Sequence, residues 1–371
     1  MTPIWHLIDA SGDTAYFRSI ARHHDRERFP VTIGSLAPAG PLQEAMRAHG
    51  VPTFSLDAPS RAGYGGALWR LMRALRRARG ALLHAHCFDP TWLGLAAARL
   101  AGRPFVFTRH HSDHHLRLGK RWHTRVDAFC AARADGVIAV SEATRRIVLD
   151  VEGASRARVT VVHNGIDPMP RPSAGEIEDA RRGLEVGASA VCLVPARLHE
   201  EKGHRTLLEA LPAVVKRCGH VAVLFAGAGP ERERLQAEVL ARGLEGTVRI
   251  LGQRADMPAL LALSWLVVLP SLAESFGLAA LEASSAGVPV VASDAGGLPE
   301  VVAHERTGLI TPRGDAAALA EAVSRVILDA GLRNRFGEEG QRRAAGFSAA
   351  RMVQGYEGVY AAVLEARQGA A

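Results

Sequence analysis

Two glutamates, an arginine and a lysine carry the most specific chemistry in this 371-residue sequence. Glu274 and Glu282 stand in the run Pro270-Ser271-Leu272-Ala273-Glu274-Ser275-Phe276-Gly277-Leu278-Ala279-Ala280-Leu281-Glu282. The spacing places Glu274 in a loop and Glu282 two turns into a helix that Phe276-Gly277 opens. Ala279, Ala280, Leu281 and Ala283 make that helix almost wholly apolar, so Glu282 is expected to be buried. A buried carboxylate needs donors, and ribose hydroxyls would supply them. Upstream, Arg197 and Lys202 lie in Ala196-Arg197-Leu198-His199-Glu200-Glu201-Lys202-Gly203, between an apolar run and a helical pattern at His204–Leu211. Two cations on a turn that ends at a helix N-terminus suit a diphosphate, although ordinary surface cations would read the same in isolation.

The first half offers other reactive types. The run Phe105–Thr108 ends in Arg109-His110-His111-Ser112-Asp113-His114-His115. Imidazoles at this density could ligate a transition metal, but no predicted helix sets a pair of them on one face, and no metal site is assigned. A polar loop at a strand end is the alternative. Asp9-Ala10-Ser11-Gly12-Asp13-Thr14 follows the first apolar run, and Asn164-Gly165 reads as an ordinary turn. Leu68, Leu71, Met72 and Leu75 line one face of a basic helix, Leu68–Arg79. Such a helix either lies on an anionic membrane or packs its leucines on a sheet and shows arginine to water.

The elements that must position these groups alternate regularly. Strands are predicted at Ile4-Ile8, Val31-Leu36, Val51-Phe54, Leu82-His84, Phe105-Thr108, Val137-Val140 and Val159-Val162, with helical patterns between them. The alternation stops at Asp167-Pro168-Met169-Pro170-Arg171-Pro172-Ser173, where three prolines stiffen a linker. It resumes with Val191-Pro195, Val221-Ala226, Val248-Leu251, Trp265-Leu269, Val288-Ala292 and Gly308-Thr311. The fold class is α/β, with two doubly wound, Rossmann-like domains facing a central cleft. Their bounds are 1–167 and 168–348, and a final helix within 349–371 is expected to cross back to the first domain.

At this point the sequence resembles the retaining glycosyltransferases of family 4, which share the two-domain GT-B fold and a pair of glutamates separated by seven residues. The motif from Pro270 to Glu282 matches throughout, as do Arg197, Lys202-Gly203, Phe225 to Pro230, Gly287 to Ala292 and Gly296 to Glu300. The resemblance implies that Arg197 and Lys202 neutralise the donor diphosphate, that Glu282 binds the ribose and that Glu274 holds a hydroxyl of the donor sugar. It implies that the amides of Phe276, Gly277 and Leu278 face sugar or phosphate oxygens, and that Gly252 to Arg254 sit where the base is contacted. His110, with His111 second, would line the cleft near the transferred sugar. Gly12 stands where relatives carry a Gly-Gly pair against the donor phosphate. Domain 1–167 would take the acceptor and 168–348 the donor.

The expected reaction moves a hexose from a UDP- or GDP-linked donor to an acceptor hydroxyl, with retention and without a metal or resident cofactor. Fixed cations stabilise the charge on the departing diphosphate, and the sequence has no Asp-x-Asp motif. The acceptor is a sugar or a lipid-linked glycan, as in lipopolysaccharide or other cell-surface polysaccharide synthesis; a small soluble acceptor is the alternative. A nucleotide-sugar epimerase of the same architecture is the rival, needing acid and base groups but no acceptor.

Composition agrees with a globular α/β protein, at 48% hydrophobic and 22% charged residues. Residues 1–167 hold 23 Lys+Arg against 14 Asp+Glu, while the rest is nearly neutral. The first half therefore either meets something anionic or simply solvates a basic surface. Despite a pI near 9.7, no aromatic-interleaved basic motif marks a nucleic-acid binder. The N-terminus lacks a signal-peptide pattern, the apolar run Ala259–Leu269 falls short of the ~20 residues of a membrane span, and Cys87, Cys130, Cys192 and Cys218 form no CxxC. A cytoplasmic location is expected, peripheral to the membrane if Leu68–Arg79 meets it.

Overall fold

Short runs of Val, Ile, Leu and Phe, each followed by a helix long enough to return the chain to the same end of the sheet, can pair only in parallel. Both halves of the chain are built this way in the computed structural model, which describes residues 1–12, 14–110, 119 and 121–369. Strands β1 (Ile4–Ile8), β2 (Val31–Ser35), β3 (Thr53–Ser55), β4 (Leu82–His86), β5 (Phe105–Arg109), β6 (Gly136–Ala139) and β7 (Val159–Val161) form one sheet, ordered β3-β2-β1-β4-β5-β6-β7. Strands β8 (Ala190–Val194), β9 (Val221–Ala226), β10 (Val248–Gly252), β11 (Leu266–Leu269), β12 (Val290–Ser293) and β13 (Gly308–Thr311) form the second, ordered β10-β9-β8-β11-β12-β13. All the pairings are parallel.

The chain divides into two compact units, one made of Met1–Asp167 with Ser348–Ala371 and the other of Pro168–Phe347. In the first unit, helices cover both sheet faces. Leu71, Leu75, Leu93 and Phe107 pack on one face and Phe17, Ile33, Met46 and Tyr356 on the other. The last helix, Ala349–Gln368, belongs to that second layer and is anchored where the Ala349 amide donates to the Ile166 carbonyl at 3.0 Å. Asp167 fastens the end of this unit by accepting from Ser19 at 2.9 Å and pairing with Arg22 and His23.

Two expectations change. The strand expected at Val51-Phe54 starts at Thr53, because the Val51 amide closes the preceding helix onto Met46 O at 3.0 Å and Pro52 has no N–H to give a ladder. The basic helix spans Tyr64–Arg77 and turns its apolar face inward. Leu71 and Leu75 are fully buried, Leu68 and Met72 pack beside them, and Arg70, Arg73, Arg76 and Arg77 face water. The unit's own core covers the leucines, so the apolar face of Leu68–Arg79 packs on the sheet and only its arginine face meets the surroundings. Among the described residues no helix is long and apolar enough to cross a membrane.

Candidate active site

In a doubly wound sheet the ligand crevice opens beyond the carboxyl ends of the strands, where the strand order reverses. In the second sheet that point lies between β8 and β11, and the loops leaving these two strands carry Arg197, Lys202 and Glu274. Lys202 Nζ donates to Glu274 Oε2 at 2.8 Å, with both side chains largely buried. The loops are tied by main chain as well: the amides of Leu272 and Ala273 donate to Glu201 O at 2.8 and 3.2 Å.

Two glycines make this closeness sterically possible. A Cβ on Gly203, at φ +66°, would lie 1.9 Å from Pro270 O, and one on Gly296, at φ +51°, would lie 1.6 Å from Glu274 O. Gly297 N then donates to Glu274 O at 3.2 Å. The Glu274 backbone is thus gripped from the loop after β12 while its carboxylate is held by Lys202.

The helix expected after Phe276-Gly277 runs Leu278–Ser285 and has no side-chain cap, so its first amides are available to an anionic group. The Phe276 ring is buried and packs edge-on against Phe347 at 5.8 Å between centroids, which fixes where the helix begins. Leu278 is exposed, and Glu282 is half-buried, more open than its apolar neighbours suggested. Burial still raises the Glu282 pKa above the ordinary carboxylate value, with no charge or hydrogen bond to offset it among the described residues. Its carboxylate is accessible and can take hydroxyl donors from a ligand.

Other expected residues stand apart from the Lys202–Glu274 pair. Arg197 is exposed and pairs with Glu201 Oε1 at 3.2 Å. Arg254 forms two bonds to Asp256, at 2.9 and 2.6 Å, just beyond Gly252, the last residue of β10. Gly12 is exposed after β1 in the first unit. His111 and the rest of the run to His115, with Asp13, lie outside the described residues.

His110, also in the first unit, ends a chain of imidazoles that sequence reasoning missed. His86 Nδ1 is 3.0 Å from His110 Nε2, and His6 Nδ1 is 2.9 Å from His86 Nε2. His84 uses both nitrogens, at 2.6 Å from Tyr360 OH and 2.7 Å from Thr108 Oγ1. These hydroxyl partners make the buried trio a hydrogen-bonded core cluster, although the His6, His84 and His86 nitrogens also lie within 4.8 Å of one another. Burial pushes the His6 pKa down to about 3 and lowers those of His84 and His86 far below the usual value. The trio flanks the reversal point of the first sheet, since His6 pairs in register with His84 across β1 and β4. One histidine in β1 and two in β4, in otherwise apolar strands, were the available signal. Beside His110, the buried Arg109 guanidinium pairs with Asp127 at 2.8 Å and Glu152 at 2.5 Å, fastening the end of β5 to the segments that follow.

Comparison with known proteins gives the same picture. Residues 176–343 match the family described as glycosyl transferases group 1, and residues 10–169 match glycosyltransferase family 4. The chain is 31% identical to D-inositol 3-phosphate glycosyltransferase of Salinispora arenicola over 75% of this chain and 68% of the relative. It is 30% identical to a GDP-mannose-dependent alpha-(1-6)-phosphatidylinositol monomannoside mannosyltransferase of Mycobacterium tuberculosis over 67% of this chain and 69% of that one. Among solved structures, Anabaena HepE in complex with UDP and glucose superposes with a TM-score of 0.85 at 26% identity, covering 98% of this chain and all of HepE. Two parallel α/β units on this template are the GT-B fold, and the chain belongs to the GT-B glycosyltransferases of family-4 type.

Proposed function

We propose that this glycosyltransferase moves a hexose from a uridine or guanosine diphosphate sugar to an acceptor hydroxyl, retaining the anomeric configuration and using no metal. The observation that carries the reading is the Lys202–Glu274 contact at the strand-order reversal of the second sheet. An ammonium has three N–H donors and Glu274 occupies one, so Lys202 can hold the carboxylate and a phosphate oxygen together. Glu274 then accepts from a sugar hydroxyl, the half-buried Glu282 takes the ribose hydroxyls, and Arg197 swings from Glu201 to the diphosphate. The start of the helix Leu278–Ser285, with the amides of Phe276 to Leu278, adds positive potential to the same anion. Gly252 and Arg254 face the base, and His110 and Gly12 of the first unit serve the transferred sugar and the phosphate.

Cleavage of the bond between the anomeric carbon and the diphosphate places charge on the leaving oxygens, where Lys202 and Arg197 stabilise it. The acceptor oxygen bonds to the anomeric carbon on the face that the diphosphate leaves, and its proton passes to a departing phosphate oxygen. HepE with UDP and glucose, and the GDP-mannose-dependent relative, support a hexose on either base. The phosphatidylinositol monomannoside acceptor of that relative supports a lipid-linked or cell-surface glycan acceptor here. Four free cysteines accord with a reducing compartment, the cytoplasm.

The test supplies UDP- and GDP-hexoses with candidate acceptors in the presence of a chelator and reads the product linkage by NMR. A product with the donor's own anomeric configuration is expected. An inverted product, or turnover that returns only with added divalent metal, overturns the mechanism; conversion of donor to its epimer without acceptor overturns the transfer itself.

A further inference from the structure

The first unit gathers exposed apolar side chains on one strip of its surface. Trp122 and Phe129, on the helix Arg121–Arg133, are 56% and 51% exposed, and Leu100, on the adjacent helix Phe88–Ala101, is 55% exposed. They border a groove of about 580 Å³ between the two helices, in which Leu95 and Val126 also lie. Aromatic rings left in water beside an apolar groove mark a contact surface.

Among the described residues the charges on this strip are mainly arginines, and Asp89, at its edge, is held by Arg61 at 3.2 Å. Trp122, Val126, Phe129 and Arg133 recur at helical spacing and share a face, with Arg125 beside them. The Arg133 guanidinium lies 4.1 Å from the Phe129 ring centre, and that of Arg61 lies 5.7 Å from the Trp122 ring. The one acid of this helix, Asp127, is buried against Arg109. Asp135, just past the helix, is held by Arg99 and Arg367 at 3.5 Å each. From Arg61 to Arg133 the sequence holds 14 Arg+Lys, three Asp and no Glu.

A second copy of the chain would bring an identical arginine strip against this one, and like charges facing each other oppose that pairing. An anionic bilayer fits both parts of the strip. Aromatic rings settle at the boundary between headgroups and acyl chains, while arginines lay their stems along apolar surface and reach lipid phosphates. We propose that Trp122, Phe129 and Leu100, with Arg125 and Arg133, dock the first unit onto the surface of an anionic phospholipid bilayer. The contact is interfacial, and it stands independently of the transfer chemistry proposed above.

The experiment is co-sedimentation of the full chain with vesicles of phosphatidylcholine alone or of equal parts phosphatidylcholine and phosphatidylglycerol, at low and high salt. Binding is expected only to the anionic vesicles and is expected to weaken with salt. Trp122→Ser with Phe129→Ser should weaken it by about tenfold or more, and Arg125→Gln with Arg133→Gln by about fivefold for each arginine. Thermal melting and turnover of a water-soluble acceptor should stay at wild-type levels in both variants, which separates failure of docking from failure of the transfer reading. Absence of binding to anionic vesicles, or equal binding by the Trp122/Phe129 variant, overturns the proposal. A wild-type dimer that this variant turns into a monomer, without vesicle binding, assigns the groove to a second copy and overturns it too.

Discussion

The Lys202 ammonium lies 2.8 Å from the Glu274 carboxylate, and the two come from loops on either side of the strand-order reversal in the second sheet. The ion pair therefore links the residue proposed to meet the diphosphate with the residue proposed to meet the sugar.

Lys202→Ala removes the cation from both roles. The expected outcome is a fall in kcat of about a hundredfold or more, with the melting temperature changed by only a few degrees. Steady-state kinetics and a thermal melt on the same preparation check it; near-normal turnover sinks the diphosphate assignment.

Glu282 is a charge that the ligand-free fold does not compensate. Its folded-state pKa lies above 4.5, so ionising it costs stability as pH rises from 4.5 through the folded value. Glu282→Gln should therefore melt higher at neutral pH, by about 2–4 °C, and bind donor roughly tenfold to a hundredfold less well. Calorimetric titration with UDP- and GDP-sugars, paired with melts, reads both. A variant that loses stability and keeps affinity contradicts the assignment.

Gly296→Ala tests position without removing a functional group. The new methyl would meet Glu274 O at 1.6 Å from a left-handed backbone, so the Glu274 loop must move. Displacement of about 1 Å at a reacting group costs on the order of a hundredfold in rate, with about 1–3 kcal/mol of destabilisation. Turnover and chemical denaturation measure the two effects.

The buried histidines predict acid sensitivity. His6, with a folded pKa of about 3, stays neutral in the fold while the unfolded chain takes up its proton below about 6.5. Stability is then complete above pH 6.5 and falls as pH drops, by about 1.4 kcal/mol per pH unit for each such histidine. Urea unfolding between pH 7.5 and pH 5 should show this slope, and His6→Phe should make it shallower. An unchanged slope in the variant would remove His6 from the account.

The sheet architecture was open to reading because parallel strands buried on both faces are nearly continuous apolar runs, as at Val221–Ala226. The motif around Glu274 was legible because it lies within one loop and one helix. The grip of Gly296 on Glu274 was not, since it joins separate loops and only the folded main chain shows the approach. The histidine cluster escaped for the same reason: His6, His84 and Tyr360 meet only after β1, β4 and the last helix assemble. The Leu68–Arg79 pattern was read correctly as amphipathic. Which surface its leucines meet depends on the helix Phe88–Ala101, about which a local pattern says nothing.

The last helix, Ala349–Gln368, covers one face of the first sheet and supplies Tyr356 and Tyr360 to its core. The first unit is therefore discontinuous in sequence, with the second inserted into it. On the ribosome, residues 1–167 emerge early with part of their apolar face uncovered, while the inserted unit can complete its own core before the helix Ala349–Gln368 is made. The earlier-made half thus finishes folding last, and the wait for its closing helix is when the nascent chain has most need of a chaperone.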